Sequence, residues 1–177
     1  MGGVDKGWIE LDGRPLIVHV LERFAPQVSE VIISANRNLE RYAGFGHAVV
    51  TDETPGFAGP LAGLLAVFSR ARFELVCTVP CDSPFVPLDL VVRLRTALQE
   101  DRADVAVART VGHIHPVFAL YRRDLHGDLR TFLSAGKRMV QAWQARQRRV
   151  EVSFDDTPEG FRNINTLEEL ASLRPPP

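Results

Sequence analysis

The segment Leu75-Val-Cys-Thr-Val-Pro-Cys-Asp82 constrains this chain more than any other. It is an apolar run of the length and β-branched character that buried strands of a parallel sheet use. Pro80 breaks the run and a single carboxylate closes it. In an open α/β sheet, ligands bind just beyond the carboxyl ends of the strands. An Asp there, followed by Ser-Pro-Phe-Val-Pro, is well placed to hold a divalent metal against a phosphate. Taken alone, the same Asp serves equally well as a cap on the turn after a strand.

The rest of the chain repeats the alternation of apolar β-branched runs with longer amphipathic stretches, which predicts an α/β fold with a mostly parallel sheet. Trp8–Leu11 reads as a short extended piece ending in a turn at Asp12-Gly13, and Pro15 opens a helix to about Ala25 with Leu16, Val20 and Phe24 on one face. Strands are expected at Glu30–Ser34, Ala48–Thr51, Val105–Ala108, Val117–Tyr121 and Arg149–Ser153. Helices are expected over Leu39–Ala43, Pro60–Ala71, Leu88–Glu100, Leu125–Ser134 and Val140–Gln147, and a last one starts at the capping-box pattern Thr166-Leu-Glu-Glu.

The 177 residues suit one domain, 1–177, with room for a full core. Charged residues make up 24% and the formal net charge is −1, which gives no global drive toward nucleic acid or an anionic membrane. The basic clusters Lys137-Arg138 and Arg146–Arg149 are short and read as solvated faces, with a second phosphorylated substrate as the functional alternative. No apolar run approaches the roughly 20 residues of a membrane span. The polar start Met1-Gly-Gly-Val-Asp-Lys does not read as a signal peptide, so the expected compartment is the cytoplasm. Cys77 and Cys81 lie four apart on one predicted strand, roughly 13 Å between Cα atoms, too far for a disulfide.

Three predicted strands end in useful polar residues: Ser34-Ala-Asn36, Asp52 and Asp82. In a parallel sheet those ends share one edge, so Ser34, Asn36, Asp52 and Asp82 should ring a single crevice. Any one of them alone is more often structural; three strands ending this way together favour a binding site. Ser and Asn suit base or ribose hydrogen bonds, Asp52 suits a donor edge such as a purine amine, and Asp82 suits Mg²⁺. Gly59-Pro60-Leu61-Ala62-Gly63 stands at a loop-to-helix junction, where backbone N–H groups favour an anion or a polar ring edge. Lys6, flanked by glycines, can lie over a polyphosphate as a mobile point charge. Asn163 and Asn165, two apart in extended chain, face the same way. His113-Ile-His115-Pro116 has metal-binding spacing but no third ligand nearby, so a His-Pro turn touching substrate is the better reading. No Ser-His-Asp or Cys-His nucleophile set is present.

In order along the chain, Met1-Gly-Gly-Val-Asp-Lys-Gly7, Asp12-Gly-Arg-Pro-Leu16, Ser34-Ala-Asn-Arg37, Asp52, Gly59-Pro-Leu-Ala-Gly-Leu64, Pro80-Cys-Asp-Ser-Pro84, His115-Pro116 and Phe161-Arg-Asn-Ile-Asn-Thr166 resemble the molybdenum cofactor guanylyltransferases of the MobA type. The likeness covers essentially the whole chain. It implies a three-layer, Rossmann-like nucleotidyltransferase fold and transfer of GMP from GTP to molybdopterin (Mo-molybdopterin), with Mg²⁺ as cofactor. A molybdenum-inserting protein would be the partner that hands over the substrate. By the same likeness Lys6 would meet the GTP phosphates, Asp52 the guanine and Asp82 the Mg²⁺. Asn163 and Asn165 would lie near the reacting phosphates or the pterin. The resemblance thus implies Lys6 and Asp82 as the catalytic residues.

Two departures from the family pattern bear on this. Ser34 stands where the family often has Asn. Family members also begin with a β-strand and a Leu-Ala-Gly-Gly loop, followed by a basic stretch ending Arg-Met-Gly-Gly, whereas this sequence begins at that Met. The expectation is therefore a start further upstream or a truncated form, with an open sheet edge and weak GTP binding. The rivals are a molybdopterin cytidylyltransferase or a sugar- or polyol-phosphate nucleotidyltransferase, and, from another class, a catalytically impaired nucleotide-binding scaffold.

Overall fold

The computed structural model describes residues 5–52 and 59–164. Gly2 and Gly3, most of the loop before Gly59, Asn165 and the helix expected from Thr166 lie outside the described residues.

The chain enters through a 3₁₀ turn, Lys6–Trp8, and a two-residue hairpin, β1 (Glu10–Leu11) against β2 (Arg14–Pro15). The turn expected at Asp12-Gly13 is there, with both residues at positive φ (51° and 74°), the backbone that short hairpins of the right twist demand. Pro15 then caps α1 (Leu16–Phe24), which buries Leu16, Val20 and Phe24 as its periodicity predicts. There follow β3 (Ile32–Ser34), α2 (Leu39–Ala43), β4 (Ala48–Val50), α3 (Pro60–Arg70), β5 (Leu75–Thr78) and α4 (Leu90–Glu100). The chain continues through β6 (Val105–Thr110), β7 (His113–Arg122), α5 (His126–Ser134), α6 (Val140–Gln144) and β8 (Arg149–Ser153).

The layering follows from alternation along β6 and β7. Val105, Val107, Ala119 and Tyr121 pack with Leu61, Leu65 and Phe68 of α3, Leu129 and Leu133 of α5, and Trp143 of α6. Their neighbours Ala106, Ala108, Phe118 and Leu120 face the other way, onto Val20 and Phe24 of α1 and Leu90, Leu94 and Leu98 of α4. Helices thus cover both faces, and Val105–Ala108 are wholly buried.

Pairing is mixed. β3 runs parallel to β4, and β6 parallel to β8. The order β5-β7-β6-β8 places β7 antiparallel between β5 and β6, because β7 returns from β6 through a two-residue connection, which only antiparallel neighbours can use. Among the described residues β3 and β5 form no ladder with one another; residues of both line a groove of about 450 Å³ whose walls include Phe24, Val28, Ile32, Val76 and Leu120.

β7 is also longer than expected. Pro116 interrupts the apolar run in the sequence, yet the strand starts at His113 and absorbs Pro116 in a bulge: Val107 pairs with Ala119, but Ala108 pairs with His115. A bulge tolerates a residue without an N–H. The carbonyls it frees are met by side chains, Pro116 O by Gln144 Nε2 (2.8 Å) and the Tyr121 hydroxyl (3.3 Å), and Val117 O by the Thr78 hydroxyl (2.6 Å). His115-Pro116 therefore lies in a strand, not in a turn.

Candidate active site

The polar residues named by their strand ends gather into two groups. In the first, Asn36 and Asp52, on the segments leaving β3 and β4, bind each other reciprocally. Asn36 Nδ2 donates to Asp52 Oδ2 at 2.8 Å, and the Asp52 N–H donates to Asn36 Oδ1 at 2.9 Å. The parallel β3–β4 register brings these ends level. Gly63, in the first turns of α3, closes on the same place: a Cβ on it would lie 2.5 Å from Ser34 Oγ, 3.3 Å from Ser34 Cβ and 3.9 Å from Asp52 Oδ1. Only bare backbone fits there.

Gly63→Ala tests that packing. Alanine ordinarily favours a helix over glycine by about 1 kcal/mol. Here the sign should reverse, with a net loss of about 1–3 kcal/mol in urea unfolding, because the Ser34 Cβ cannot rotate away. Adding Ser34→Ala should recover part of the loss; a Gly63→Ala chain as stable as the parent would disprove the close approach.

Gly59 and Pro60 open α3. Gly59 has φ 111°, a conformation open to glycine, and its carbonyl takes the Ala62 N–H at 3.1 Å. Pro60 occupies the first helical turn, where its missing N–H costs nothing. Leu61 is 2% exposed and packs in the core, so only its backbone is available to a ligand.

The second group surrounds Asp82. Asp82 is 6% exposed, and Lys6 Nζ lies 3.2 Å from its Oδ2. The Asp82 carbonyl receives the Ile164 N–H at 2.8 Å, which anchors the C-terminal segment beside the end of β5. Ser83, fully buried, donates its hydroxyl to Asn163 Oδ1 at 2.6 Å. His115 stacks on Phe161, two residues before Asn163, at 4.6 Å between centroids, and its Nε2 meets the Thr110 hydroxyl at 2.8 Å. Burial, with His113 as a lesser cause, holds its imidazole below the usual range. The β7 bulge thus fixes His115 against the segment that carries Asn163.

The two groups are joined through the loop after β3: Asn38 donates to Asp5, the residue before Lys6, at 2.9 Å. Ser83, Asp5 and Tyr42 were not among the residues expected from sequence. Ser83 lies inside Pro80-Cys-Asp-Ser-Pro84 and Asp5 inside Met1-Gly-Gly-Val-Asp-Lys-Gly7, so those motifs were the available signals; Tyr42 carried none.

The chemistry open to this arrangement is narrow. Burial pushes the Cys77 thiol up to about 12 and, together with the Asp82 charge, the Cys81 thiol up to about 11, so neither supplies a thiolate nucleophile. Among the described residues no three His, Cys, Asp or Glu side chains cluster to hold a metal by themselves. A single buried carboxylate does match the way Mg²⁺ is held in phosphoryl-transfer sites, by one or two carboxylates together with the substrate's phosphates. No described helix is long and apolar enough to cross a membrane.

Residues 1–150 match the MobA-like NTP transferase domain. A molybdenum cofactor guanylyltransferase of Shewanella putrefaciens is 47% identical over 169 residues, 96% of this chain and 87% of that protein. One of Burkholderia lata is 52% identical over 182 aligned positions, covering 98% and 88%. Among solved structures, molybdopterin-guanine dinucleotide biosynthesis protein A of Archaeoglobus fulgidus superposes with a TM-score of 0.80 at 22% identity, over 96% of this chain and 89% of that one. A 2-C-methyl-D-erythritol 4-phosphate cytidylyltransferase of Thermus thermophilus superposes with a TM-score of 0.70 at 20% identity, over 94% and 91%. The fold is therefore shared by proteins that use different bases.

Proposed function

The chain belongs to the MobA-like NTP transferase family, and on that premise we propose that it transfers GMP from GTP to molybdopterin, releasing pyrophosphate and forming the guanine dinucleotide form of the cofactor. The observation that carries this reading is the Lys6 ammonium set against the buried Asp82 carboxylate, in a site where burial keeps the Cys77 and Cys81 thiols protonated. Nucleotidyl transfer asks for positioning and charge neutralisation and needs no protein nucleophile.

A terminal phosphate oxygen of the pterin attacks the α-phosphorus of GTP. The new P–O bond forms as the bond from α-phosphorus to the bridging oxygen breaks, and pyrophosphate carries the electron pair away. Lys6 meets the phosphates. Asp82, together with the substrate phosphates, would hold Mg²⁺, which would supply charge neutralisation at the transferred group. Asn163 would serve the reacting phosphates or the pterin, and His115 packs on Phe161, in the same segment. A molybdenum-inserting protein as supplier of the acceptor, and a cytoplasmic location, complete the proposal.

The base is chosen at Asp52. Guanine presents two adjacent donors, N1–H and the 2-amino group, to a carboxylate; cytosine presents one amine. Ser34, Asn36 and the backbone around Gly59, Pro60, Leu61 and Gly63 complete that end of the pocket.

The test is equilibrium binding of GTP, CTP and ATP in the presence of Mg²⁺. GTP should bind in preference, and Asp52→Ala should cut the preference over CTP by about tenfold or more, the worth of a charge-assisted hydrogen bond. A preference for CTP would favour the cytidylyltransferase reading. Nucleotide binding without pyrophosphate release, with any acceptor, would favour an impaired scaffold.

A further inference from the structure

Asp5, Asn38 and Tyr42 form a polar cluster that the reaction above does not use. Asp5 stands before the 3₁₀ turn Lys6–Trp8 and Asn38 before α2, where Asp and Asn ordinarily accept from the first N–H groups of their own helix. Neither side chain does so here. Instead the Asn38 amide donates to Asp5 Oδ2 at 2.9 Å and the Tyr42 hydroxyl donates to Asp5 Oδ1 at 2.6 Å. Asn38 adopts φ 51°, a left-handed conformation that Asn tolerates better than most residues.

Tyr42 is itself held. It is 3% exposed, and its ring packs 5.2 Å from that of Trp8, which in turn stacks on Phe45 and lies under the Arg41 guanidinium at 3.7 Å. The backbone just past Lys6 is wedged against this support. A Cβ on Gly7 would come 2.6 Å from the Tyr42 hydroxyl and 3.6 Å from Cys81 Cβ, the residue before Asp82.

We infer that Tyr42 is a positioning residue for Lys6: acting through Asp5 and the close approach at Gly7, it fixes the turn that presents the lysine ammonium to the nucleotide phosphates. The inference rests on the phosphate-binding role proposed for Lys6 and adds what sets its geometry. A three-residue 3₁₀ turn has little to hold it by itself, and ordering it before the nucleotide arrives removes a cost that binding would otherwise carry.

A double-mutant cycle on GTP affinity tests this, with Tyr42→Phe and Lys6→Ala separately and together. Tyr42→Phe keeps the ring and removes only the hydroxyl, so the melting temperature should fall by no more than about 4 °C. The GTP Kd should rise about fivefold in the parent chain and less than about twofold in the Lys6→Ala background, since coupled residues do not add. Equal effects in both backgrounds would mean a merely structural role and would overturn the inference. So would an unchanged Kd for Tyr42→Phe while Lys6→Ala binds weakly. An unchanged Kd for Lys6→Ala would instead remove the phosphate-binding role itself. Asn38→Ala, which loosens Asp5 from the exposed side, should give the same cycle and replaces Tyr42→Phe if that variant fails to fold.

Discussion

Asp82→Asn should leave the chain folded and lower GMP transfer by about 10²–10³-fold, the usual cost of removing a group that organises charge at a reacting phosphate. The amide keeps the size and shape of the carboxylate, so the packing beneath Ile164 and Ser83 should survive. What goes is the negative charge, and with it both the counter-charge for Lys6 and the anionic hold on Mg²⁺ proposed for this carboxylate. The partner ammonium is half-exposed, so water takes over much of the lost attraction and folding stability should change little. Initial rates across a Mg²⁺ titration decide the matter. The variant should need far more Mg²⁺ for whatever rate remains, while circular dichroism matches the parent. Parent-like turnover at ordinary Mg²⁺ would end the metal assignment and leave Asp82 as a structural partner of Lys6.

Trp143→Ala carries the largest expected loss of stability, about 3–5 kcal/mol in urea unfolding, in line with other buried aromatic-to-alanine changes. Trp143 is fully buried, stacks on Tyr121 at 5.7 Å and donates its indole N–H to Asp128 at 2.8 Å. Its helix, α6, spans five residues, too few to be stable alone, so it depends on this anchor. The loss should reach the site as well: the next residue, Gln144, donates to Pro116 O and to the Tyr121 hydroxyl, which set the β7 bulge and with it His115. Trp143→Phe, which keeps most of the packing but drops the bond to Asp128, should cost about 1 kcal/mol. A parent-like midpoint for Trp143→Ala would show that α6 contributes little to the core.

The elements most legible in the sequence were those whose signals are local. Asp12-Gly13 specified its turn because few residues accept positive φ in succession. Leu16, Val20 and Phe24 specified the buried face of α1 because their spacing follows the helical period. Gly59-Pro60 marked the start of α3, and the apolar, β-branched Val105–Ala108 marked a strand, which the structure buries completely. The motifs around Lys6, Gly59–Gly63, Asp82 and Phe161–Asn163 pointed to the family to which the chain belongs. All of this depends on residues within a few positions of one another, where backbone sterics and side-chain periodicity act directly.

Tertiary structure decided the rest. That Lys6 meets Asp82 across 76 positions, that Ser83 holds Asn163 across 80, and that Asn36 and Asp52 bind reciprocally are consequences of which strands lie side by side. Strand order and direction decided that β7 runs antiparallel, and the pairing across it decided that Pro116 falls in a bulge. The support of Asp5 by Tyr42 arises only when α2 packs beside the 3₁₀ turn. The physical reason is common to all of them: a chain's apolar period specifies which face of an element is buried, but not which partner buries it. Contacts distant in sequence exist only once the core has chosen one arrangement.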